Sequence, residues 1–204
     1  MNYESFLQKK RQFALPLGLA DIPELSSALF PFQKRIVEWA LLRGRAAIFA
    51  DCGLGKTLMQ LEWARCVPGR VLILTPLAVA EQTVREGIKF GIEVGNLRDD
   101  ATRLEKIVVC NYEMIHRVDL AAFNAVVLDE SSILKNFDGS TRKQLTDSFA
   151  RTAFKLCCSA TPAPNDWMEL GNHAEFLGVK TASEMLAMYF VHDAAKTQDW
   201  RIKG

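Results

Sequence analysis

The chain has 204 residues, of which 49% are hydrophobic and 24% charged. That is the composition of one folded globular core and excludes disorder, collagen and coiled coil. Lys and Arg number 25 against 24 Asp and Glu, a net charge of +1, so no global basic field points to nucleic acid and any such contact needs a local patch. No apolar stretch approaches the ~18 residues of a membrane span, and the polar, basic start is no secretory signal, so the reading includes no membrane. The cysteines, Cys52, Cys66, Cys110, Cys157 and Cys158, form no C-x-x-C pair, and an odd count without a framework reads as reduced thiols in a cytosol. His116, His173 and His192 lack metal-ligand spacing.

Residues 1–29 read as a lead-in punctuated by Pro16, Gly18 and Pro23. The main domain is expected over 30–180 and a helical C-terminal segment over 181–204. Residues 32–42 have the periodicity of an amphipathic helix. An apolar run at 46–50 leads through a Gly-rich turn into a helix at 56–66. A second run at 71–74 precedes a helix from about residue 79 to 90, and further runs lie at 107–110, 125–128 and 154–158. Residues 166–204 read as helix, break, helix, with no further clear strand. Trp39, Trp63 and Trp167 have apolar neighbours at helical spacing and read as core or cover. The apolar runs do not alternate with polar residues, as expected of strands buried on both faces. Separated by helices, they predict an α/β fold with a mostly parallel sheet and helices on both faces. Functional residues then belong at the carboxyl ends of the strands.

The strongest motif is Ala50-Asp51-Cys52-Gly53-Leu54-Gly55-Lys56-Thr57, between a predicted strand and a predicted helix. Glycines let the backbone curl so that several N–H groups face one anion, and the helix amino terminus adds positive potential. Lys56 can reach the β- and γ-phosphates, and Thr57 can place a hydroxyl on Mg²⁺. Ala50 stands where the usual pattern has Gly, a mild change if its φ is negative. Asp129 and Glu130 close the predicted strand 125–128. There, an aspartate can hold Mg²⁺ and a glutamate can orient and deprotonate an attacking water.

With both motifs in place, residues 29–177 resemble the first RecA-like domain of superfamily 2 helicases, most of all the Swi/Snf-type translocases and related phage helicases. The motifs come in order. Phe30-Pro31-Phe32-Gln33 resembles the Q motif, implying that Gln33 reads adenine. Thr75-Pro76 and Asn111-Tyr112 resemble motifs Ia and Ib, implying contact with a nucleic-acid backbone. Asp129-Glu130-Ser131-Ser132 is similar to motif II, without a histidine after the acids, and Lys135-Asn136 resembles its Swi/Snf extension. Ser159-Ala160-Thr161-Pro162 is similar to motif III, with Asn165 in its Swi/Snf-like tail. Ser159 and Thr161 are expected to hydrogen-bond the motif II carboxylate and sense the γ-phosphate.

The resemblance implies an enzyme using ATP and Mg²⁺, with double-stranded DNA as partner, in a bacterial or phage-infected host cytosol. Such enzymes carry a second RecA-like domain with an arginine finger. No motif of that domain occurs here, so the chain alone is expected to be nearly inactive. Two other readings stay open: a P-loop ATPase acting on protein, and a nucleotide-binding module without catalysis.

Overall fold

The structure, a computed structural model, describes residues 17–98, 104–135, 139–192 and 200–203. Helix α1 (Pro31–Arg43) starts on a proline, whose fixed φ suits the first helical turn. It ends at Gly44, whose φ of 71° only glycine adopts cheaply. The lead-in does more than precede this helix. Leu17, Gly18 and Leu19 donate backbone N–H groups to Arg43, Leu42 and Leu41, satisfying the carbonyls that the end of α1 leaves open. Gly18 is needed there because a Cβ would lie 1.9 Å from the Leu41 carbonyl oxygen.

The remaining elements are β1 (Arg45–Phe49), α2 (Lys56–Cys66), β2 (Val71–Thr75), α3 (Leu77–Lys89), β3 (Gly95–Asn96) and β4 (Ile107–Asn111). They are followed by β5 (Ala125–Asp129), α4 (Gly139–Ser148), β6 (Phe154–Ser159), α5 (Leu170–Leu177), α6 (Ala182–Tyr189), β7 (Phe190–His192) and β8 (Trp200–Ile202). Six strands form one sheet in the order β1-β6-β5-β2-β4-β3, with every neighbouring pair parallel. β2, β4, β5 and β6 are buried at every position, which is why their sequences do not alternate.

Successive residues of a strand serve opposite faces. Val71 and Ile73 join Val37, Leu41 and Trp63 in a core beneath α1 and α2, while Leu72 and Leu74 join Leu145, Phe149 and Phe176 beneath α4 and α5. The expected α/β sheet with helices on both faces is therefore present.

Three details differ from the sequence reading. Strand β3 has two residues and no apolar run, so nothing in its composition marks it. The end of the chain is not wholly helical: β7 and β8 pair as an antiparallel ribbon after α6. Of the three tryptophans read as core or cover, only Trp63 is core, since Trp39 and Trp167 are 45% and 60% exposed. Among the described residues no helix is long and apolar enough to cross a membrane.

Candidate nucleotide site

The phosphate loop leaves the carboxyl end of β1, and its turn is set by Gly53 and Gly55, with φ of 80° and 75°. Ala50 is not among the residues of positive φ, so a methyl group is tolerated where the pattern has glycine. The Lys56 ammonium folds over the loop and donates to the carbonyls of Ala50 at 2.8 Å and Asp51 at 3.2 Å. Asp51 Oδ1 accepts from the Cys52 N–H at 2.7 Å.

Gln33, buried at the start of α1, ties this loop to the helix. Its Oε1 accepts from Phe30 N–H at 2.9 Å and its Nε2 donates to Leu54 O at 2.9 Å. A Cβ at Gly55 would lie 2.4 Å from Gln33 Nε2, so the approach requires glycine. Phe30 and Phe32 stack at 6.2 Å with nearly parallel rings. Together these groups line a cleft of about 790 Å³, with Gln82 and Lys89 of α3 on its far wall. A second cavity of about 460 Å³, lined by Arg98, Met114 and Arg117, contains none of the motif residues.

Asp129 and Glu130 lie at the end of β5, whose neighbour β6 ends beside them at Ser159 and pairs in turn with the end of β1. The parallel order thus brings phosphate loop, acidic pair and motif III hydroxyl to one edge. Asp129 is buried, and burial pushes its carboxyl above the usual range, while a 2.7 Å hydrogen bond from Gln60 Nε2 works the other way. Tyr112 donates its hydroxyl to the Asp129 carbonyl at 2.8 Å. Burial also raises the Tyr112 phenol, keeping it a donor.

Glu130 is the one non-glycine residue of positive φ, 55°, among those described. Its Oε1 accepts from the hydroxyls of Ser132 and Ser159, both at 2.8 Å. The expected contact between motif III and the motif II carboxylate is therefore made by Ser159. Thr161 contributes its backbone N–H to Ser159 Oγ at 3.0 Å.

Sites expected to touch nucleic acid divide sharply. Thr75 is fully buried and its hydroxyl donates to Pro76 O at 2.9 Å. Asn111 is buried with its amide on Glu113 Oε2 at 2.7 Å, and Tyr112 is buried against Asp129. These three side chains finish strand ends and bond within the domain. Pro76 and Lys135 are half-buried and Asn165 is exposed, its amide held by Glu169 Oε1 at 2.9 Å. Asn136 lies outside the described residues.

Two residues of the site carried no motif. Gln60 is buried mid-helix beside Asp129, and its Oε1 has no hydrogen-bond partner. His173, on α5, is buried with Nε2 3.1 Å from Ser131 Oγ. Burial holds its pKa below the usual histidine value, so the ring is neutral. Gln60 gave no local signal, since only the fold shows that its helix is buried at every position from 58 to 64. His173 gave none.

The described residues contain no group of three or more His, Cys, Asp or Glu able to hold a metal. A buried carboxylate, Asp129, with the unpartnered amide oxygen of Gln60 beside it instead suits a cation that takes its other ligands from phosphate and water.

No family model matches the chain. It is 27% identical over 160 residues to the SWI/SNF-related matrix-associated actin-dependent regulator of chromatin subfamily A-like protein 1 of Xenopus tropicalis, covering 72% of this chain and 17% of that protein. The Sulfolobus solfataricus SWI2/SNF2 ATPase core, solved in complex with dsDNA, superposes with a TM-score of 0.68 at 20% identity, covering 84% of this chain and 41% of that one. The UvsW helicase from bacteriophage T4 gives 0.62 at 16% identity, over 89% and 66%. The Pyrococcus furiosus Hef helicase domain gives 0.59 at 20%, over 73% and 36%. The chain thus spans 17% of the curated relative and 41% of the SWI2/SNF2 core. Its fold is that of a RecA-like domain, and in sequence and fold it is similar to SWI/SNF ATPase cores and to superfamily 2 helicases.

Proposed function

We propose that the chain is the ATP-binding motor domain of a nucleic-acid-dependent ATPase. The observation that carries this reading is the meeting of Lys56, Asp129, Glu130 and Ser159 at the carboxyl ends of β1, β5 and β6. Nucleotide phosphates displace the Ala50 and Asp51 carbonyls from Lys56 and take the N–H groups of the Gly53–Thr57 loop. Thr57 and Asp129 would hold Mg²⁺, which neutralises phosphate charge when bound. Gln60 fixes the rotamer of Asp129. Glu130, aimed by Ser159, orients and deprotonates the attacking water. Gln33 reads adenine with the N–H and lone pair that its two protein hydrogen bonds leave over.

Double-stranded DNA is the proposed track, supported by the dsDNA complex of the SWI2/SNF2 core. Pro76, Lys135, Asn136 and Asn165 are the proposed side-chain contacts, joined by the backbone of the turns at Thr75, Asn111 and Tyr112. A second RecA-like domain would supply an arginine to this site, worth roughly 10³–10⁵ in rate. The free thiols of all five cysteines favour a reducing cytosol, bacterial or of a phage-infected host.

The test is ATP turnover by a polypeptide carrying this domain with a second RecA-like domain. Duplex DNA should accelerate it. Indifference to DNA, with acceleration by a protein substrate, would favour an ATPase acting on protein. Nucleotide binding without turnover under any condition would favour a non-catalytic module.

A further inference from the structure

We propose that His173 is a positioning residue for Glu130: its imidazole holds Ser131, and with it the left-handed turn that directs the Glu130 carboxylate to Ser159. The inference rests on the ATPase reading above.

The sequence places no histidine in motif II, but the fold brings one against it from α5. His173 Nδ1 lies 3.4 Å from the backbone oxygen of Glu169 and Nε2 lies 3.1 Å from Ser131 Oγ. A carbonyl oxygen only accepts, so Nδ1 carries the proton and Nε2 accepts from the Ser131 hydroxyl. The ring also stands edge-on to Phe49 at 5.2 Å, the last residue of β1 before the phosphate loop. His173 therefore touches the end of β1, the turn after β5 and the segment before α5 at once.

Glu130 needs such support. A bulky residue at φ 55° is held in a costly region and stays there only when its surroundings over-determine it. On one side the Ser132 and Ser159 hydroxyls fix the carboxylate, and Ile133 N–H donates to the Glu130 carbonyl at 3.1 Å. On the other, Ser131 is fully buried and its side chain is bonded to His173. Losing that bond frees the next residue along the chain and lets the turn relax toward ordinary φ. A displacement near 1 Å of a group that aims a nucleophile costs up to about 10²-fold in rate, whereas Lys56, which binds phosphate, donates its own hydrogen bonds to Ala50 and Asp51 and none to His173 or Ser131.

The experiment uses a polypeptide that joins this chain to a second RecA-like domain, with Mg·ATP and duplex DNA at fixed pH. It compares affinity and the single-turnover rate of bound ATP in wild type, Ser131→Ala, His173→Leu, the double variant and Glu130→Gln. The expected result is unchanged affinity, with the rate lowered about 10-fold in either single variant and no further in the double. Nitrogen NMR of wild type should show His173 protonated at Nδ1, and Ser131→Ala should shift its Nε2 signal. If Glu130→Gln slows hydrolysis but both single variants match wild type, the positioning role is wrong. If only His173→Leu is slow, the ring acts by packing on Phe49 and the hydrogen-bond claim is overturned. If Glu130→Gln itself leaves the rate unchanged, the ATPase reading fails and the inference falls with it.

Discussion

Replacing Gln33 by Ala tests whether the start of α1 both braces the phosphate loop and reads the base. The side chain is buried and makes two hydrogen bonds of 2.9 Å, from Phe30 N–H and to Leu54 O. Each such bond is worth about 1 kcal/mol net. Leu54 is 42% exposed, so its carbonyl can return to water, while the Phe30 N–H loses its partner at the head of a helix. The expected loss is therefore about 1–2 kcal/mol of stability. For a domain of this size that lowers Tm by about 2–8 °C.

Base recognition should fall as well. A glutamine amide pairs with the N6 donor and N7 acceptor of adenine but meets a second acceptor on guanine, and such a pair discriminates by about 1–3 kcal/mol. The ADP-over-GDP preference should therefore shrink roughly 10-fold or more. The assays are thermal melting without nucleotide and calorimetric titration with each diphosphate. A variant with wild-type Tm would refute the bracing argument, and an unchanged ADP-to-GDP ratio would refute the base contact.

Tyr112→Phe should cost about 1–2 kcal/mol in urea melts by removing the bond to the Asp129 carbonyl. Duplex DNA affinity should stay constant, since the ring is buried; a loss of DNA binding at constant stability would return the Tyr112 side chain to the interface. In a polypeptide that adds a second RecA-like domain, Glu130→Gln should keep Mg·ATP affinity and lower kcat by roughly 10²-fold, as loss of a general base does; unaltered turnover would move that role elsewhere. Lys155 is buried, and burial first, then Arg45, lowers its pKa from 10.5 to about 8. Between pH 8 and 10.5 the unfolded chain binds a proton at this lysine that the folded chain does not, so Lys155 by itself contributes a rise in stability with pH across that window, by up to about 3 kcal/mol, opposed above about pH 9 by the buried thiols of Cys110, Cys157 and Cys158, which burial raises. Lys155→Met should remove this rise, measured as the difference between urea melts of the two proteins; parallel curves would contradict it.

The phosphate loop was legible because its chemistry is contiguous: glycines, lysine and threonine follow one another, and the strand and helix beside them show in apolar pattern. The same holds for Asp129-Glu130, and parallel topology then brings Ser159 to them. What the sequence hid depends on contacts between elements distant along the chain. Gln60 reaches Asp129 from 69 residues away and His173 reaches Ser131 from 42. Neither spacing has a local signature. Thr75, Asn111 and Tyr112 fell at motif positions, and what the sequence could not show is that their side chains are buried at strand ends, with Thr75 on Pro76 O, the Asn111 amide nitrogen on Glu113 and Tyr112 on the Asp129 carbonyl. The β7–β8 ribbon was missed because three-residue strands bear too little pattern to separate from helix.

The measurement that bears most directly on the central claim is calorimetric titration of the chain with Mg·ATP and Mg·ADP, beside Lys56→Ala. The ammonium now bound to the Ala50 and Asp51 carbonyls is the mobile cation of the loop, so wild type should bind both nucleotides with heat and the variant should lose most of that binding. Equal affinity in wild type and Lys56→Ala, or no binding to the folded wild-type chain, would contradict the account.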